Sequence, residues 1–137
     1  MKPRITVLTI GVDDLERSLR FYRSLGFESP GIVGAKFEHG AVAFFDLQEG
    51  LRLAAWRRDD LAHDCGLPRS PASPTEFSLG HNVGSEREVD AVMAQAAKAG
   101  ATIVKPAQKT FYGGYAGYFQ DPDGHLWEAV FNPQAPM

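Results

Sequence analysis

A short pattern occurs twice in this chain. Val12-Asp13-Asp14-Leu15-Glu16-Arg17 closes an apolar, β-branched run and opens a helical one, and Val83-Gly84-Ser85-Glu86-Arg87-Glu88 does the same 72 residues later, counted from Asp13 to Ser85. The helical runs end on Gly26 and Gly100, 74 residues apart. A repeat of this period is one supersecondary unit, and a unit so small cannot bury the face of its own sheet. The two copies must therefore pack on each other or on a second chain.

Read in order, the first copy begins with a strand over Ile5 to Val12. Asp13 stands as the helix N-cap, with Glu16 at capping-box spacing, and Leu15, Leu19 and Tyr22 recur at helical intervals up to Gly26. The segment from Phe27 to Phe37 contains Pro30 and Gly31 and reads as an edge or a bulge. Ala41 to Leu47 and Leu51 to Trp56 are strands joined by hairpin-length connections, completing a βαβββ order. From Arg57 to Thr75 the pattern breaks at Pro68, Pro71 and Pro74, which predicts a connecting loop with at most one helical turn over Asp59 to Cys65. The second copy has strands over Glu76 to Val83, Thr102 to Lys105 (cut by Pro106), Gly114 to Gln120 and His125 to Phe131. Its helix is capped by Ser85 with Glu88 and buries Val89, Val92, Met93 and Ala96. The expectation is an α+β fold with a first module over 1–56, a connecting loop over 57–75 and a second module over 76–137, all in one compact domain.

Composition narrows the partners. With a net charge of -3 there is no basic stripe, which argues against a nucleic-acid surface. No apolar run approaches the length of a membrane span, and the first residues lack a signal-peptide pattern. The single cysteine, Cys65, excludes an intrachain disulfide and suits a reducing cytoplasm, so a cytoplasmic protein without membrane or nucleic-acid partners is expected. Asp64 beside Cys65 would raise its thiol pKa, which argues against a nucleophile.

The chemistry concentrates near the end. Asp121-Pro122-Asp123-Gly124 is a turn sequence between two aromatic, alternating flanks and predicts a β-hairpin. Its second strand carries Glu128 between Trp127 and Ala129, a carboxylate that needs a cavity, a partner or a metal. If the turn pairs Asp121 with His125, Tyr118 lies opposite Glu128 on the same face. Glu128 and Tyr118 are therefore the candidate catalytic residues, able to exchange a proton in an apolar cavity, or else a satisfied structural pair. Tyr112 and Tyr115, around a glycine pair, with Trp56 and Phe45, are the candidate ligand-lining aromatics; the alternative is that they form core. His81 has the parity of Phe77, Leu79 and Val83, the face expected to lie under the helix, and reads as a buried histidine. Re-aimed by a bulge, it would form half of a metal site with Glu128. His39, His63 and His125 have no ligand-like spacing and read as surface or turn residues.

Taken together, Asp14-Leu15-Glu16-Arg17-Ser18-Leu19-Arg20-Phe21-Tyr22, Leu25-Gly26-Phe27, Ala99-Gly100-Ala101 and Phe119-Gln120-Asp121-Pro122-Asp123-Gly124 leading to Trp127-Glu128 resemble the vicinal oxygen chelate superfamily. That superfamily contains glyoxalase I, bleomycin-resistance proteins and extradiol dioxygenases. The resemblance implies paired βαβββ modules with curved mixed sheets enclosing a cavity, commonly in a homodimer. Metalloenzymes of the family place His or Glu ligands at positions that fall here on Val7, on or near Leu53, on Ser78 (or His81 by another count) and on Glu128. A lone carboxylate does not hold a catalytic ion, so no metal site and no cofactor are expected, with a divalent metal left as the open alternative. The implied function is a small-molecule-binding protein of the glyoxalase/bleomycin-resistance type, its ligand in an aromatic cavity near Glu128. The alternatives are a glyoxalase-like lyase, isomerase or dioxygenase using Glu128 as metal ligand or general base, and a module whose partner is another protein.

Overall fold

The computed structural model describes residues 1–135. Two compact units divide the chain, Met1–Pro71 and Ala72–Met137, with the boundary inside the proline-rich connection.

The first unit contains β1 (Val7–Val12), α1 (Leu15–Ser24), β2 (Ile32–Val33), β3 (Val42–Asp46), β4 (Arg52–Arg57) and α2 (Arg58–Cys65). Its sheet has the order β1-β4-β3-β2, parallel between β1 and β4 and antiparallel elsewhere. The helix cap lies one residue later than the capping-box spacing suggests. Asp14, in an extended conformation, accepts from the Arg17 N–H at 3.1 Å. Asp13 is drawn instead to the guanidinium of Arg58, at 2.6 Å. Leu15, Leu19, Phe21 and Tyr22 are buried along one face of α1, and the Tyr22 ring packs on Phe45 with centroids 5.3 Å apart. Register places Leu8 beside Leu53 and Leu53 beside Phe45, so these three share the face that packs toward α1. β2 is far shorter than the segment 27–37. Only Ile32 and Val33 pair with β3, because Pro30 withholds a donor and Gly31 sits at φ 102.

The connection holds more order than a loop. α2 follows β4 without a break and runs for 8 residues, longer than the single turn the sequence suggests. Asp59 and Asp60 in its first turn complement the positive end of the helix.

The second unit contains β5 (Leu79–Asn82), α3 (Glu86–Ala99), β6 (Thr102–Lys109), β7 (Tyr115–Gln120) and β8 (Leu126–Phe131), with sheet order β5-β8-β7-β6. Ser85 caps α3 by accepting from the Glu88 N–H at 3.1 Å, and its hydroxyl donates back to the Glu88 carboxylate at 3.2 Å. Val89, Met93 and Ala96 are buried, and Gly100 ends the helix at φ 106. α3 lies over β6, β7 and β8. On that covered face Phe119 and Trp127 are register partners, their rings nearly parallel at 6.1 Å. β6 passes through Pro106 rather than stopping before it. The strand is at the sheet edge, where a missing N–H is tolerated, and its register shifts on both sides of Lys105. Both units thus have the βαβββ order, and the fold is α+β with two mixed sheets. Among the described residues no helix is long and apolar enough to cross a membrane.

Candidate functional site

The site grows from the turn after β7. Asp121 is 3% exposed, and its Oδ1 accepts from the backbone N–H groups of Asp123 and His125, both at 2.9 Å. The Asp121 N–H donates to the His125 carbonyl at 3.0 Å, and the Gly124 N–H to the Asp121 carbonyl at 3.0 Å. One carboxylate thus satisfies two donors that the turn would otherwise leave unpaired. Closing the hairpin at Asp121 and His125 sets the register of everything behind it. Tyr118 comes to lie opposite Glu128, and Gln120 opposite Leu126.

Tyr118 and Glu128 are register partners on β7 and β8, so phenol and carboxylate stand side by side on one face of the sheet. Partial burial pushes the Tyr118 phenol above its ordinary 10.0, and the neighbouring Glu128 carboxylate raises it further by favouring the protonated phenol. Tyr118 is therefore a neutral donor near pH 7 and not a base. A carboxylate has four acceptor positions, so Glu128 retains capacity for another donor.

Beside Tyr118 is an open cleft of about 430 Å³ lined by Thr75, Phe77, Ser78, Val104, Lys105, Tyr118 and Leu126; Glu128 shares the face of Tyr118 and Leu126 but is not among the lining residues. Its size is within the range of small-molecule sites. The lining combines apolar walls from Phe77, Val104 and Leu126 with hydroxyls from Thr75, Ser78 and Tyr118 and one cation, Lys105.

The other aromatic candidates distribute differently. Tyr112 precedes β7 with its ring against Gly114, and it is not among the residues lining the cleft. The Tyr115 hydroxyl donates instead to Asp90 of α3 at 2.8 Å, which places it on the helix side of the sheet. Phe45 is fully buried among Tyr22 and Phe27 and offers no surface to a ligand. Trp56 belongs to the first unit, half-buried, with its indole N–H donating to the His39 carbonyl at 2.9 Å.

The positions where the family's metalloenzymes carry ligands are divided between the two units, Val7 and Leu53 in the first and Ser78 and Glu128 in the second. Leu53 is buried and in register with Leu8, on the face of β1 opposite Val7. Ser78 lines the cleft, but the residue beside Glu128 on β5 is Gly80, which has no side chain. His81 is in register with Ala129 and so is on the face away from Glu128. It is also exposed rather than buried, because it stands on the edge strand beyond the reach of α3. Among the described residues no three His, Cys, Asp or Glu side chains are grouped to hold a metal ion.

One polar cluster escaped the sequence reading. His39 Nδ1 is 2.7 Å from Oδ1 of the buried Asp60, whose Oδ2 accepts from Arg57 Nε at 3.3 Å, and the His63 ring stacks on His39 at 3.9 Å. His39 itself has φ 59. Twenty-one residues separate His39 from Asp60, and no local spacing signals the contact.

Comparison with known proteins gives a consistent picture. A crystal structure of a glyoxalase-related enzyme from Fulvimarina pelagi is 35% identical, with a TM-score of 0.83 over 98% of this chain and 92% of that one. The metallothiol transferase FosB of Shouchella clausii is 29% identical over 125 residues, 90% of this chain and 77% of its own length. The fosfomycin resistance protein FosX of Listeria monocytogenes, at 23% identity and a TM-score of 0.71 over 96% of this chain and 95% of that one, shares the fold. The model of the Glyoxalase/Bleomycin resistance protein/Dioxygenase superfamily matches residues 4–129, and the chain belongs to that superfamily.

Proposed function

We propose that this protein binds a small organic molecule in the cleft of its second module, against the Tyr118–Glu128 pair. The supporting observation is the pair itself: a phenol and a carboxylate in register on one face, both half-buried, with Tyr118 lining a cleft of about 430 Å³. A ligand donor reaching the acceptor positions of Glu128 would be oriented by that carboxylate, beside the Tyr118 phenol. In this reading the protein works in the cytoplasm as a homodimer, without a resident metal, and a small-molecule ligand is in keeping with its similarity to a metallothiol transferase.

A thermal-shift screen with aromatic antibiotics and small oxo-acids tests the reading, because a ligand selective for the native state raises apparent stability. The expected result is a hit that stabilises the wild-type protein and loses most of its effect in Glu128→Gln, while the unliganded variant melts as wild type does. A hit that stabilises Glu128→Gln equally well would move the site elsewhere. Turnover of the bound molecule, abolished in the same variant, would make the protein an enzyme.

A further inference from the structure

The register of β6 has a consequence for what the cleft can hold. Ile103 pairs with Phe119, on the face covered by α3. Simple alternation would put Lys105, two residues on, on that same covered face. It does not lie there. Lys105 pairs with Tyr118, one residue back from Phe119, so Val104 is an extra residue in the strand. A bulge of this kind turns the following side chain to the opposite face and is a common device beside functional sites. Val104 and Lys105 consequently both line the cleft. Pro106 follows at once, and a second register shift comes before Gln108.

The bulge leaves Lys105, Tyr118 and Glu128 in one row across three neighbouring strands, on one face. Lys105 forms no ion pair with any described residue, whereas the exposed Lys109 on the same strand is held by Glu86 at 2.9 Å. Glu128 is two strands away, about 10 Å between backbones at ordinary strand spacing. Tyr118 lies between them, in register with both. The row therefore has a free cation at one end, an acceptor at the other and apolar walls from Phe77, Val104 and Leu126.

Building on the small-molecule reading above, we propose that the ligand is an organic acid. Its anionic group binds the Lys105 ammonium, its apolar body rests on Phe77, Val104 and Leu126, and a hydroxyl or amine at its far end donates to Glu128. The charge order of the row excludes the reverse orientation, since an anion on Glu128 would be repelled and left without a partner. The Val104 bulge acts as the specificity device, because without it the cation would lie under the helix.

The test uses matched pairs: 3-(4-hydroxyphenyl)propanoate and other aryl- and alkyl-propanoates, each against its neutral primary amide. Binding is followed by amide chemical shifts of the full-length protein around residues 105, 118 and 128. The acids are expected to bind at least about tenfold more tightly than the amides, the difference made by one charge-assisted hydrogen bond. Lys105→Gln should erase that preference and Lys105→Arg should keep it. Amides that bind as well as acids, or acids indifferent to Lys105→Gln, would overturn the assignment of an anionic ligand while leaving the cleft as a binding site. If no probe of either kind moved those resonances at millimolar concentration, both readings would fall.

Discussion

Tyr118 and Glu128 are register partners in the second module, and two side-chain effects set the state of the phenol. Burial and the neighbouring carboxylate both favour the protonated phenol, so its pKa lies above the ordinary 10.0. A raised acid of this kind contributes stability that is intact below its unfolded value and is lost as pH climbs through its folded value. Ring resonances of Tyr118 should accordingly titrate above 10.0, and Glu128→Gln should bring the midpoint down toward it. An unmoved midpoint would show that Glu128 contributes nothing. Asp13 shows the opposite sign. The Arg58 guanidinium bonded to its carboxylate lowers its pKa from 3.8, so its contribution is present above that value and disappears as acid protonates it. The carboxyl shift of Asp13 should titrate below 3.8, and Arg58→Met should return it upward. A third residue, Asp121, supports the pair without touching it. Asp121→Ala strips the acceptor from the N–H groups of Asp123 and His125, and urea unfolding should register a loss of about 1–3 kcal/mol.

At the scale of elements, the caps give the clearest expectations. Ser85 satisfies the Glu88 N–H at the start of α3, so Ser85→Ala should cost about 1 kcal/mol in chemical denaturation. Gly100 closes the same helix at φ 106, and a Cβ placed there would meet no atom within 4 Å. The cost of Gly100→Ala is then one of backbone conformation alone, about 1–2 kcal/mol. A much larger loss would mean that the C-terminal end of α3 packs in some further way. The strands behave less locally. β6 continues through a proline because it is an edge, and β5, the other edge, leaves His81 in solvent because α3 packs chiefly on the remaining three strands, β6, β7 and β8.

For the whole molecule, the connection between the two units is the weak segment. Residues 66–78 are exposed throughout, and the unit boundary falls within them. Arg69 is their visible anchor, reaching Asp59 at 2.9 Å and Asp13 at 3.2 Å. Limited proteolysis should therefore cut first within 66–78, and Arg69→Ala should speed that cut several-fold, since cleavage follows local opening. First cuts inside α1 or α3 would contradict this.

Much of this architecture was legible before any coordinates, and the boundary is a physical one. Whatever depends on neighbours within about one turn of chain is present in the residues themselves. The doubled strand-helix pattern, the Ser85 cap, the glycine stops and the Asp121 turn are all of this kind, and the turn alone determines that Tyr118 faces Glu128. Asp13 and Asp14 were harder to separate, because the choice of cap depended on Arg58, 45 residues away. Tertiary structure alone decided the rest. It bound His39 to Asp60, put Leu53 on the face opposite Val7, buried Phe45 and turned Lys105 toward the cleft. Those outcomes depend on lateral register, a bulge and the reach of one helix across a sheet, which are set by packing between segments far apart in the chain.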